Sequence, residues 1–139
     1  MTKIENVKVR LSDGRVKTLN MRVSCDAPWT LEFEILDGGS LRIEASDLFE
    51  ALRDARKELE LVGAQLLCAG ARPDVTPSGM SRDMSGGRKA YKVTLGNPAG
   101  DSDMVDIFDY AELEVVGSLR QQNDYIGAWT ASIRQRHRF

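Results

Sequence analysis

The sequence is poor in the residues that bind metals and move protons. It has one histidine, His137, and two cysteines, Cys25 and Cys68. Two thiols and one imidazole without ligand spacing argue against a structural zinc site. A Ser-His-Asp hydrolase would have to use His137, two residues from the end of the sequence, and Cys68 has no plausible histidine partner. Both cysteines are expected to be reduced and partly buried. The expectation is a chain that is not an enzyme, with no catalytic residues, no metal and no cofactor.

Long apolar runs are missing too. None approaches the roughly 20 residues of a membrane helix. The segment Met1–Val7 has no apolar signal core. A cytoplasmic domain without membrane contact is expected. Nor is there an excess of one charge. Nineteen basic and twenty-one acidic residues leave a net charge of −2, which gives no footprint for direct nucleic-acid binding. With 42% hydrophobic and 29% charged residues, the composition is globular, and 139 residues suit a single domain spanning 1–139.

What is present is clear periodicity. Val7, Val9 and Leu11 alternate with polar residues, and Ser12-Asp13-Gly14 supplies a hairpin turn. The return strand carries Val16, then Leu19, Met21 and Val23. The change of parity predicts a β-bulge near Lys17–Thr18. In a second hairpin, Leu31, Phe33 and Ile35 alternate with Glu32 and Glu34. Asp37-Gly38-Gly39 turns the chain, and Leu41, Ile43 and Ala45 alternate with Arg42 and Glu44. Such alternation describes antiparallel strands with one apolar and one wet face.

Leu48, Leu52, Ala55, Leu59 and Val62 then draw one helical stripe, capped by Asp47 or Ser46 and stopped by Gly63. Arg53, Asp54, Arg56, Lys57, Glu58 and Glu60 are assigned to its solvated side. The unbroken apolar run at 65–69 predicts a central strand. Tyr91, Val93 and Leu95 predict another, and 104–108 a short one. Ser118 and Gln121 have the spacing of a capping box. They open a C-terminal helix with Leu119, Ile126, Trp129 and Ile133 on one face, Tyr125 beside it, and Trp129 as the expected core anchor. Gly127 weakens that helix by about 1 kcal/mol relative to alanine. Its basic end, Arg134 to Arg138, suits a helix C-terminus. The fold class expected is α+β: two N-terminal antiparallel hairpins, an amphipathic helix, two or three strands around a long loop, and a C-terminal helix packed on one face of the sheet.

That loop, 70–90, is the segment a packed scaffold does not explain, because connections of this length are usually functional or disordered. It holds Arg72, Arg82, Arg88 and Lys89 against Asp74 and Asp83, and Val75, Met80 and Met84 could pin it to the core. Three readings stay open. It could be a structural Ω loop with local pairs Arg72–Asp74 and Arg82–Asp83. It could be a protein-binding surface of arginine and methionine. It could be an anion site in which Ser85-Gly86-Gly87-Arg88-Lys89 offer main-chain N–H groups and cations. The acidic cluster Asp101, Asp103, Asp106 and Asp109 lacks the glycine and terminal glutamate of an EF-hand, so it reads as a solvated or partner-facing patch.

The run from Gly70 to Met84 (GARPDVTPSGMSRDM), with Gly87–Tyr91, Val105–Asp109 and Val116–Gln122, resembles a group of small uncharacterised bacterial proteins. The resemblance covers the second half of the chain. Some small proteins of this style are immunity proteins of contact-dependent inhibition or other polymorphic toxin systems. What it implies is a partner protein: a cognate toxin domain, with a basic nuclease suiting the acidic positions. The implied contacts are Glu32, Glu34, Glu44, Asp101, Asp103 and Asp106, together with Arg72, Asp74, Met80, Arg82, Asp83 and Arg88 of the loop. The alternative is a domain or enzyme that holds a small or phosphorylated ligand on Arg72, Arg82, Arg88 and Lys89. A homo-oligomer with paired edge strands is a further arrangement.

Overall fold

The computed structural model describes residues 1–35 and 38–136, with the main chain alone at Gln135 and Arg136. Asp37 of the second turn and His137 lie outside the described residues. In chain order the elements are β1 (Thr2–Arg10), β2 (Val16–Ser24), β3 (Trp29–Glu34), β4 (Ser40–Ala45), α1 (Leu48–Leu61), β5 (Gln65–Leu67), β6 (Val75–Thr76), α2 (Gly79–Ser85), β7 (Lys89–Lys92), β8 (Met104–Asp106) and α3 (Leu119–Arg136). They form an α+β fold with two antiparallel sheets, β4-β3-β2-β1-β5 and β6-β7-β8. No helix among the described residues is long and apolar enough to cross a membrane.

The first hairpin closes as its turn residues dictate. Gly14 takes a φ of +88°, its N–H donates to Leu11 O, and Leu11 N–H donates to Arg15 O at 2.8 Å. The ladder then runs without interruption from Arg10↔Val16 to Thr2↔Ser24. The predicted bulge at Lys17–Thr18 is therefore absent. Val16 sits on the outer face, exposed, while Leu19, Met21 and Val23 keep the inward parity. With Val7, Val9, Leu31 and Phe33 they form a fully buried inner face, and the α1 stripe of Leu48, Leu52, Ala55 and Leu59 packs against it. Burying side chains of this size stabilises by about 1.5–3 kcal/mol each.

Helix α1 begins as its sequence predicts: Asp47 is the N-cap and its carboxylate accepts from Glu50 N–H at 2.8 Å. Its end differs slightly, with Val62 exposed at the C-cap and Gly63 beyond it. One assignment on α1 is overturned. Arg56, placed on the solvated side by its charge, is only 3% exposed. The strand at 65–67 is also displaced from its expected position. β5 pairs with β1 alone and is an edge strand, not a central one. Its continuous apolar run has another cause: residues 107–111 cover the outer edge, with Ala69 N–H donating to Asp109 O and Ala111 N–H to Leu67 O.

Residues 70–90 are not a loop. A 3-10 turn at Ala69–Ala71, β6, α2 and the start of β7 account for most of the segment. Ser78 caps α2 in a reciprocal box with Ser81, and Gly86 ends it with a left-handed φ of +63°. An added Cβ at Gly86 would lie 2.4 Å from the Trp29 ring, so the close approach also requires glycine there. Val75 is buried as expected, but Met80 and Met84 are 71% and 81% exposed and pin nothing. The strand expected from Tyr91 to Leu95 is shifted earlier, to Lys89–Lys92, with Ala90 and Val93 buried and Leu95 exposed.

Helix α3 opens on the predicted capping box. Ser118 N–H donates to Gln121 Oε1 at 2.8 Å, and Gln121 N–H donates to Ser118 Oγ at 3.1 Å. It lies against α1 and β6. Its anchor is not Trp129, which is half-buried and donates its indole N–H to Asn97 O at 2.8 Å. The buried position is Gln122, 1% exposed. Gly127 is exposed on this helix, and a methyl group there would meet nothing within 4 Å. Gly127→Ala should therefore stabilise the fold by about 0.5–1 kcal/mol. Thermal or urea unfolding would show this as a higher midpoint at unchanged cooperativity.

Candidate binding surfaces

The second half of the chain is held in place by two polar side chains that meet inside it. Arg56 donates from Nη1 to Gln122 Oε1 at 2.7 Å and to Gly70 O at 3.2 Å, and from Nη2 to Gly117 O at 3.0 Å. Gln122 turns its amide N–H groups toward the carbonyls of Gly70, Arg72 and Val75, at 3.1, 2.8 and 3.1 Å. Its Oε1 also accepts from Arg53 at 2.8 Å. Burial lowers the Arg56 pKa to about 10, so the guanidinium is charged at neutral pH and needs these acceptors. Charge-assisted bonds of this kind are shorter and stronger than neutral ones. Neither residue was identified as a candidate from the sequence. A signal was there: Arg56 is four residues after Leu52 and three before Leu59, and Gln122 is three after Leu119 and four before Ile126. Each polar residue interrupts an apolar stripe, and each supplies the other's partner.

The charged groups of 70–90 are mostly occupied by internal partners. Arg72 and Asp74 form a two-pronged pair with both distances at 2.8 Å, which raises the Arg72 pKa. This is the local pair expected. Arg82 does not pair with Asp83. It reaches the capping carboxylate Asp47 and, at 3.4 Å, Glu50, and lies over the Phe49 ring. Arg88 bridges Glu5 on β1 and Asp106 on β8 while stacking on Phe108 at 5.0 Å. Burial alone would lower its pKa, but the hydrogen bonds to Glu5 and Asp106 outweigh that and raise it. The main-chain donors of the supposed anion site are also taken. The N–H groups of Gly86 and Gly87 donate to Ser81 O, that of Arg88 to Ser85 O, and that of Lys89 to Ser85 Oγ. What the segment leaves outward is Gly79, Met80, Asp83 and Met84 on α2, and Lys89 at the start of β7.

A cleft of about 310 Å3 opens between α1, β6, α2 and α3, lined among others by Phe49, Arg53, Thr76, Arg82, Asn123 and Ile126. Of the four cations at 72, 82, 88 and 89, only Arg82 lines it. Arg53 is directed along its wall to Asn123 Oδ1 at 2.7 Å.

The acidic candidates divide between the two sheets. Glu32, Glu34 and Glu44 lie on the outer face of the larger sheet, the side away from α1. Glu32 is flanked by Arg22 and Arg42 at 3.9 and 4.0 Å. Glu34 and Glu44 have no ion-pair partner among the described residues. The other three belong to the smaller sheet and the turn that feeds it. Asp103 accepts from Gly100 N–H at 3.1 Å, Asp101 is exposed, and Asp106 is held by Arg88 and by Lys89 at 3.7 Å. Among the described residues no three His, Cys, Asp or Glu side chains are grouped to hold a metal ion.

The thiols differ from each other. Cys25 is exposed, contrary to the expectation of partial burial, and Cys68 is sealed in the core with its pKa pushed up to about 11 by burial. Compared with protein-family models and with curated proteins, the chain finds no match in either.

Gln122→Leu should destabilise by about 2–4 kcal/mol, because it removes a partner of a buried cation and the buried amide shared by the carbonyls of Gly70, Arg72 and Val75. Denaturant unfolding would measure the loss, and amide exchange would place the early opening at residues 70–76. With a thiol reagent at pH 8, Cys25 should react in the native chain and Cys68 only after unfolding, giving one and then two labels per molecule by mass.

Proposed function

We propose that the chain is an immunity protein that binds a cognate bacterial toxin domain in the cytoplasm and neutralises it by covering its active site. The observation that carries this reading is the one-sided sheet. Its inner face is buried under α1 and the second half of the chain, while its outer face presents mainly charged and polar side chains, among them Arg22, Glu32, Glu34, Arg42 and Glu44. On that face Glu34 and Glu44 project carboxylates that no cation of the described chain neutralises. A rigid, half-committed charge pattern of this kind selects a partner of opposite sign and speeds its approach. A basic nuclease domain has that sign. On α2, Met80 and Asp83 are outward and would form a second contact, methionine supplying adaptable apolar area.

The other reading, a small anion held by the cations of 70–90, loses its donors. Arg72 and Arg88 already face carboxylates, and the Ser85–Lys89 main chain is bonded internally.

Co-expression with toxin domains encoded beside the gene tests the proposal. A neutralised toxin and a stable one-to-one complex are the expected results. The double charge reversal Glu34→Lys with Glu44→Lys should slow association at least tenfold at low salt, with an unchanged melting temperature. Failure to neutralise any neighbouring toxin domain, or association unaffected by the reversal and by salt, would overturn the reading.

A further inference from the structure

Three guanidiniums gather at the cleft between α1, β6, α2 and α3, and their partners are unequal. Arg53 and Arg82 line it, and Arg56 lies behind Gln122. Asp47 and Glu50 both bond Nη1 of Arg82. Arg53 has Glu50 at 3.9 Å from Nε, too far for a hydrogen bond. It donates instead to two neutral amide oxygens, Gln122 Oε1 at 2.8 Å and Asn123 Oδ1 at 2.7 Å. Arg56 donates to neutral oxygens only, one of them the same Gln122 Oε1. Glu60 acts on Arg56 from farther away and accepts from Leu119 N–H. Two cations therefore share one uncharged acceptor at the wall of the cleft.

The lining also holds donors without acceptors. Arg82 spends Nη1 on both of its carboxylates, and its Nε and Nη2 have no hydrogen-bond acceptor among the described residues. The half-buried Thr76 hydroxyl makes no hydrogen bond among the described residues. Glu50 is the one acidic side chain in the lining, and Phe49, Val75 and Ile126 supply its apolar part. The volume of about 310 Å3 is at the small end for ligand sites, about ten water molecules' worth.

A carboxylate matches this lining in three respects. Its plane fits the guanidinium fork. Its single charge offsets the excess that Arg53 and Arg56 share, whereas Glu50 opposes a phosphate dianion twice as strongly. Asn123 Oδ1 is exposed and uncharged, so a carboxylate oxygen can replace it on Arg53 Nη2 and turn a neutral acceptor into a charged one.

We propose that this cleft binds a small monocarboxylate with a compact apolar body. The carboxylate takes the place of Asn123 Oδ1 on Arg53, with Thr76 and Arg82 as further donors, and the body lies against Phe49 and Ile126. The cleft is on the helical side of the large sheet, opposite the face offered to a toxin domain. The inference therefore goes beyond the immunity reading and does not depend on it.

The probe is sodium benzoate, titrated into the 15N-labelled chain at constant ionic strength. Saturable shifts are expected at the amides of Thr76, Arg82 and Asn123 and at the Arg53 Nε–H. Benzamide, of the same shape without the charge, should leave them in place. Arg53→Gln should weaken binding at least tenfold. Asn123→Ala removes the competing acceptor at an exposed position, so it should tighten binding by about threefold with an unchanged melting temperature. The benzamide and Asn123→Ala arms stand even if Arg53→Gln disturbs Gln122. No saturable shift, equal binding by benzamide, inorganic phosphate binding more tightly at the same amides, or an affinity that Asn123→Ala leaves unchanged or weakens would each overturn the proposal. None of these results bears on whether a toxin domain is neutralised.

Discussion

A guanidinium inside a protein must be met from several directions, and the second half of this chain is arranged around that requirement. Arg56 lies where α1, the turn at Gly70, the approach to α3 at Gly117 and the side chain of Gln122 converge. Each of the acceptors comes from a different stretch of sequence. Leaving any one of them out would cost free energy of the order of a lost buried hydrogen bond, about 1–3 kcal/mol. The arrangement is therefore cooperative: α3 cannot leave without exposing the cation, and 70–76 cannot shift without releasing the Gln122 amide. The glycines at the acceptor sites fit the same geometry. An added Cβ at Gly70 would come within 2.4 Å of Leu52, and one at Gly117 within 2.7 Å of Pro73.

The parts of the fold legible in the sequence are those whose cause is local. Period-two alternation located β1 to β4, and a four-three stripe with Asp47 before it located α1. Ser118 and Gln121 marked the start of α3. What was not legible depended on residues far away in the chain. The run at 65–69 looked like a strand between two others because both faces are apolar, and nothing local tells whether a strand or an irregular segment such as 107–111 provides the cover. Helix α2 has a cap at each end but no apolar stripe, because Met80 and Met84 point outward; without a stripe, seven residues between Ser78 and Gly86 look like a turn-rich loop.

Charge misled in a consistent way. Arg56 is assigned to water by its charge, Arg82 in one reading to its neighbour Asp83, and Arg82 and Arg88 in the others to a partner protein or an anion. Each instead completes a contact between elements distant in sequence: Arg56 with α3, Arg82 with the cap of α1, and Arg88 with both sheets at once. In a segment with few large apolar residues, ion pairs backed by Phe49 and Phe108 take over part of the tethering that leucines perform elsewhere. The candidate surface is correspondingly not where the arginines are densest, but where carboxylates on the outer sheet face have been left without cations.

The cover over β5 has a further consequence. A sheet of five strands has two borders at which another polypeptide could attach end over end. The β5 border is closed by residues 107–111, through the bridge between Cys68 and Tyr110 and the bonds on either side of it. The β4 border is only six residues long and alternates Ser40, Arg42 and Glu44 on its solvent side, features that discourage edge-to-edge aggregation. Pairing of another polypeptide onto the β5 border should therefore require prior detachment of the 107–111 segment, a stretch that belongs to neither the sheet's own strands nor the surface proposed to meet a partner.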